Sequence, residues 1–318
     1  MKIQRYVVFF LSSLFLSSLN AQTEHELGRE LFKSKKYAEA KAVFESILSK
    51  SSYNAEANYY LGSIYLRADR DPDKAIEYLE KAIDAEPNNS MYHLVLSNAL
   101  GNKAMQSNVI KQALLAPKIK SELEKAVELD PNSIEARTGL CQFYIMAPGI
   151  MGGSFEKAKQ QADAVRTLDA YRGYLMYATI YNREEDWDQA EIYYKKAIAA
   201  DPKKGTPYHQ LGYLYTKLKR NPEAVAQFLK MVEYDPDNAN SYDSLGDGYM
   251  ANGQLDEALK SYAKAVSIDP KFAPSVFNLA KCYEKKNMKL EAKENYKRYI
   301  ALVPTGSQSD EARSKIKD

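Results

Sequence analysis

Tyr181, Tyr215, Tyr249 and Tyr283 stand 34 residues apart, and two other residue types keep the same interval. Ala190, Ala224, Ala258 and Ala292 form one series, and Pro202, Pro236, Pro270 and Pro304 form another. A period of this length restricts a chain to stacked supersecondary units. Each is too small to bury its own apolar face, so neighbours must cover one another. The stretch from Gly205 to Asn238 shows what one unit contains. Tyr208, Leu211, Gly212 and Tyr215 fall at i, i+3, i+4 and i+7, the apolar stripe of a helix. Gly212 leaves room for a neighbouring helix. Asn221 is expected to cap a second helix, with Pro222 at its first position. That helix carries Ala224, Phe228 and Met231 on its stripe. Asp235-Pro236 ends it, because the residue before proline avoids the helical region.

These residues resemble the tetratricopeptide repeat (TPR) family. Its consensus runs aromatic, Leu-Gly, Tyr, Ala, Phe or Tyr, Ala and Pro. Tyr242, Leu245, Gly246, Tyr249, Ala258, Tyr262, Ala265 and Pro270 match it at every position. The resemblance implies an all-α fold: a right-handed α-solenoid of about eight helix-turn-helix repeats with a short C-terminal capping helix. The repeats are expected at about 22–54, 55–89, 90–133, 134–170, 171–204, 205–238, 239–272 and 273–304, with the cap at 305–318. Repeat 2 keeps Leu61, Gly62, Tyr65, Ala75, Leu79, Ala82 and Pro87 but has one extra residue between Asp69 and Asp73. Repeats 3 and 4 depart from the pattern.

Residues 1–21 read as something else. Lys2 and Arg5 precede a short apolar run from Tyr6 to Leu19, and Ala21 supplies a small residue for cleavage. The expectation is a secretory signal peptide, hence a periplasmic or secreted protein with no integral membrane segment after cleavage. No Cys lies near the cleavage point to take a lipid anchor. Without Lys2 and Arg5 the 44 basic residues fall to 42, equal to the 42 acidic ones. That balance argues against nucleic acid as a partner. Cys141 and Cys282 lie four repeats apart, too far for a disulfide across stacked helices, so both are expected as free, buried thiols.

The period breaks twice. Repeat 3 carries roughly ten extra residues between Gly101 and Lys120. They read as longer helices or one additional turn, with Asn108 as a possible cap. Repeat 4 carries Pro148, Gly149, Ile150, Met151, Gly152 and Gly153. Pro148 stops a helix, the glycines permit unusual backbone angles, and Ser154 is placed to cap the next helix. Two readings stand for this loop. It folds back and tucks Ile150 and Met151 against the repeat 3 insertion, or it presents them to a partner.

No constellation for catalysis, and no cofactor site, emerges from the sequence. His25, His93 and His209 lie in three different repeats, and there is no paired-cysteine or His-Glu-x-x-His spacing. The remaining function is binding. In the family, ligands lie along the groove lined by first helices. Helical spacing puts positions 2, 5, 9 and 12 of each repeat on one face. The expected groove residues are His209, Tyr213, Asn240, Asp243, Asp247, Phe277 and Lys281, a mixed surface suited to a peptide or protein. Its aromatics Tyr213 and Phe277 also suit a glycan or lipid. No repeat has Lys at position 5, which excludes the family's clamp for C-terminal carboxylates. The chain therefore reads as a non-catalytic adaptor of the bacterial cell envelope.

Overall fold

A computed structural model describes residues 23–317; the leader expected at residues 1–21 lies outside the described residues. Among the described residues all regular structure is helical, and consecutive helices pack as antiparallel pairs. The chain divides into two compact bodies between Leu168 and Asp169.

The N-terminal body holds α1 (23–33), α2 (Tyr37–Lys50), α3 (Ala55–Ile64), α4 (Pro72–Ala85), α5 (Ser90–Met105), α6 (Val109–Leu129), α7 (Ile134–Met146) and α8 (Phe155–Leu168). The C-terminal body holds α9 (Ala170–Glu184), α10 (Trp187–Ala200), α11 (Gly205–Lys217), α12 (Asn221–Tyr234), α13 (Ala239–Ala251), α14 (Leu255–Ile268), α15 (Ala273–Lys285), α16 (Lys289–Leu302) and α17 (Ser307–Lys317). Each body is an α-solenoid of stacked pairs. α17 closes the second with Ser309 and Ala312 buried and a polar outer face.

The pairs close on a small residue. A Cβ added at Gly212 would stand 2.5 Å from the Phe228 ring, and one at Gly246 would stand 2.5 Å from the Tyr262 ring. In α9 and α15 the same position holds Ala178 and Ala280, both fully buried. The ring from the second helix thus fills the space that a small residue on the first helix leaves open. Turns inside the pairs repeat as regularly. Lys35, Arg70, Glu185, Lys219 and Asn287 take left-handed backbone angles, and Gly253 takes the same place in its own repeat.

Side-chain caps begin many of the helices. Asn54, Asp71, Asn89, Asn108, Ser133, Asp169, Asp186 and Asn238 each accept a backbone N–H from the first turn that follows, worth about 1 kcal/mol apiece. The expectation for Asn108 holds. That for Asn221 does not: α12 starts at Asn221 itself, so its side chain lies inside the first turn. The amide instead donates to the Ala251 carbonyl at the end of α13, joining two repeats.

The departures from the period have separate structural answers. The extra residue of repeat 2 is absorbed in a π-turn at Tyr65–Asp69 that continues α3. In repeat 3 the added residues lengthen the pair, giving α5 16 residues and α6 21 residues. α6 runs through Pro117, which has no N–H to offer the preceding turn. In repeat 4 the loop makes a single 3-10 turn at Gly149–Met151. Cys141 and Cys282 are free and buried, and burial pushes the Cys141 thiol up to about 12.

Candidate partner-binding face

First helices of successive repeats in the C-terminal body touch directly, α11 with α13 and α13 with α15. Side chains from three repeats therefore meet along one face, and its centre is polar. Asp243 and Asp247 lie one turn apart on α13. Asp243 is only 6% exposed and accepts hydrogen bonds from the Ser275 hydroxyl (2.7 Å) and the Asn278 amide (3.3 Å) of α15. Asp247 accepts from three directions. Tyr213 of α11 donates at 2.8 Å, Tyr262 of α14 donates at 2.8 Å, and the Asn278 amide donates at 3.3 Å.

Every donor in this network is neutral. Among the described residues no Lys or Arg nitrogen lies within ion-pair distance of either carboxylate. The electrostatic consequence is visible at each group. Burial, with the Asp247 charge adding to it, raises the Asp243 carboxyl to about 6. Burial and the same charge hold the Tyr213 and Tyr262 hydroxyls well above the ordinary tyrosine value. Burial lowers the His209 imidazole, with the Asp247 charge opposing it. His209 packs edge-on against Tyr213, and Tyr213 packs edge-on against Phe228.

The expected groove residues do not all share one environment. His209, Tyr213, Asp243 and Asp247 fall on or beside the network, and Asn240 lies one turn before Asp243 on α13. Phe277, expected as an exposed aromatic, is 3% exposed and packs between Tyr296 and Tyr299. The reason is rotational: position 5 of repeat 8 is drawn under the second helix by two tyrosines that leave it no path outward. Lys281 is exposed, with its ammonium 5.6 Å from the Phe277 ring centre. Ser275 and Asn278 were missed. Nothing in the sequence set them apart, because small polar residues also stand at positions 3 and 6 of repeat 7, as Ser241 and Ser244. Tyr262, a consensus position of the repeat, is buried in the core, and its hydroxyl is what requires an acceptor at Asp247.

The second candidate set lies in the N-terminal body. Around Pro148 the loop is held by its own backbone: Met151 and Gly153 donate to the Pro148 carbonyl, and Ser154 donates to Tyr144. A Cβ on Gly153 would lie 1.8 Å from the Ala147 carbonyl oxygen, so only glycine fits there. Gly152 has φ +95° and sits against the Lys120 stem of α6 and the Phe143 ring. Gly149 has open space around its Cα. The two readings divide between the two apolar residues. Met151 is half-buried, whereas Ile150 is 94% exposed and does not tuck against the insertion.

Family models described as tetratricopeptide or TPR repeat match residues 31–100, 171–204, 206–238, 246–287 and 275–306. The chain belongs to the tetratricopeptide repeat family. Its structure resembles a tetratricopeptide repeat protein from Parabacteroides merdae, with 16% identity, coverage of 82% of this chain and 98% of that one, and a TM-score of 0.61. A second likeness is to a chain of the APC/C hetero-tetramer Cut9–Hcn1, with 14% identity, coverage of 88% and 52%, and a TM-score of 0.52. At these identities the likeness is one of fold. No curated protein matches the chain. Proteins of this family generally mediate protein–protein interactions, and the fold is typically a non-catalytic scaffold.

Proposed function

We propose that the chain is an adaptor of the bacterial cell envelope that holds an extended peptide or protein segment on the first-helix face of its C-terminal body, and that Asp243 and Asp247 receive a basic side chain of that partner. The observation that carries this reading is the pair of largely buried carboxylates satisfied only by neutral donors. Hydrogen bonds orient them, but no cation among the described residues offsets their charge. A lysine or arginine brought in by a partner would supply that charge in a partly desolvated setting, where an ion pair is stronger than in water. Asp247 also has a structural duty toward Tyr262, which fixes the carboxylate in place for recognition. The glycan or lipid reading has less support, since Phe277 is buried and the Tyr213 hydroxyl is committed to Asp247.

Titration calorimetry with matched peptides carrying one Arg or one Glu in an otherwise neutral sequence tests the reading. The Arg peptides should bind, more tightly as pH rises through about 6 and Asp243 ionises. Asp243→Asn should weaken them about tenfold at pH 8. Equal binding of Glu peptides, or no loss in the variant, would refute it. The envelope location rests on the leader-like residues 1–21 and is checked by N-terminal sequencing of protein from the periplasmic fraction.

A further inference from the structure

The hairpin of α5 and α6 outgrows its neighbours, and its tip is apolar where an ordinary repeat turn is polar. Met105 is 76% exposed at the end of α5; Val109, Ile110 and Leu114 are 71%, 74% and 75% exposed at the start of α6. Ile110, Leu114 and Pro117 lie at i, i+4 and i+7, so they form a single outward stripe. The opposite side of α6, with Ala116, Leu123 and Ala126, is the buried one. Scattered exposed aliphatics need no explanation, but four gathered at one protruding end do.

Charge is equally uneven. From Pro87 to Ser121 there is no Asp or Glu, a run of 35 residues in a chain that has 42 acidic residues in 318. The same run carries Lys103, Lys111, Lys118 and Lys120. Lys103 is bridged to Asp73, Lys118 to Glu80 and Lys120 to Glu124 (3.5 Å). Lys111 stands between Ile110 and Leu114 in sequence, is exposed, and has no carboxylate within ion-pair distance among the described residues. The positive end of the α6 dipole points the same way.

We propose that this tip docks on an anionic lipid surface. The aliphatic side chains would enter the headgroup–acyl boundary, while Lys111 and the amino end of α6 face lipid phosphates. Two features favour a membrane over a protein groove. The apolar residues sit at the end of a hairpin longer than the helices on either side of it, so a plane can meet them ahead of those neighbouring helices. The composition, branched aliphatics with lysine and no acid, is that of interfacial helices drawn to anionic lipid. Among the described residues no helix is long and apolar enough to cross a membrane, so attachment would be peripheral and reversible.

Vesicle flotation of the chain from residue 22 onward tests this, with phosphatidylcholine vesicles and with equal parts phosphatidylcholine and phosphatidylglycerol. The expected result is binding to the anionic vesicles, weaker binding to the neutral ones, and a loss of about tenfold or more in the Ile110→Glu, Leu114→Glu double variant. Leu290→Glu is the control: Leu290 is 83% exposed on α16 of the other body and should not matter. Both variants alter exposed side chains, and equal melting temperatures would confirm intact folds. Absence of binding to either vesicle overturns the proposal, as does full binding by the double variant or an equal loss in Leu290→Glu. Self-association that the double variant abolishes, without vesicle binding, also overturns it and assigns the tip to a second copy of the chain.

Discussion

Repeats 5 to 8 and repeats 3 and 4 are built from the same helical pair and put their irregular chemistry in opposite places. Where the 34-residue interval is kept, the core is nearly the same in every repeat. Tyr194, Phe228, Tyr262 and Tyr296 fill one position, and the variable residues fall on the first-helix face. Where the interval is broken, the core positions survive, but part of the added residues lies beyond the reach of any neighbouring pair. Apolar side chains there, such as Ile110, Leu114 and Ile150, remain in water. Regularity in a solenoid thus frees one face for polar recognition, and irregularity adds surface that the stack itself cannot cover.

The largest effect should come from violating the regular packing. Gly246→Val places a branched side chain where even a Cβ is 2.5 Å from the Tyr262 ring. Tyr262 would be driven out of its pocket and off Asp247, at a cost of about 3 kcal/mol in urea unfolding of the C-terminal body. The counterpart is Gly101→Ala in the lengthened α5, where nothing lies within 4 Å. That change should stabilise by up to about 1 kcal/mol through helix propensity alone. If the two substitutions destabilise alike, the contrast between regular and inserted glycines is wrong.

Asp243→Asn sharpens the contrast from the polar side. A carboxyl whose folded pKa is near 6 keeps its proton in the fold at pH values where the unfolded chain has lost it. The stability it contributes is complete below the unfolded value near 4. It is lost as pH rises through about 6, for a change of order 2–3 kcal/mol. The asparagine keeps an oxygen for Ser275 and Asn278 but has no charge to desolvate. The variant should therefore be more stable than the parent at pH 8, by about 2 kcal/mol, and no more stable at pH 4. A parent whose melting temperature does not fall between pH 4 and 7 would show that Asp243 ionises without cost.

Much of this molecule was legible in the sequence because the repeat states its own geometry. The interval between tyrosines gave the pair, and Asn108 and Ser154 gave helix starts. What was not legible depends on rotation about a helix axis or on contacts between repeats. Phe277 sits at a groove position by count, yet two tyrosines of α16, Tyr296 and Tyr299, take it into the core. Asn221 has the right type and place for a cap, but an available carbonyl at Ala251 draws its amide to the next repeat. Ser275 and Asn278 are unremarkable in sequence and join the network around Asp243 and Asp247 only when α15 lies on α13.

A smaller effect is expected at the turns. Lys219 holds φ at 58° in the place that Gly253 occupies one repeat later at 78°. A side chain in the left-handed region costs about 1 kcal/mol, so Lys219→Gly should raise stability by up to that amount, and Gly253→Ala should lower it similarly. Equal and null effects at both positions would mean the turns are too loose to register the strain, contrary to their regular spacing.

The smallest effect should be at the crest of the repeat 4 loop. The loop's shape is set by its backbone, with Gly153 pressed on Ala147 and Ser154 bound to the Tyr144 carbonyl. Ile150 takes no part in this and is 94% exposed. Ile150→Ser should then leave stability within about 0.5 kcal/mol of the parent, while Gly153→Ala, a smaller chemical change, should cost about 1–3 kcal/mol because the new methyl meets backbone. The pair of measurements separates a loop held by main-chain contacts from one held by its apolar tip. Were Ile150→Ser the more damaging of the two, Ile150 would have to be covered in solution. The broken repeats would then bury their added apolar residues just as the regular ones do.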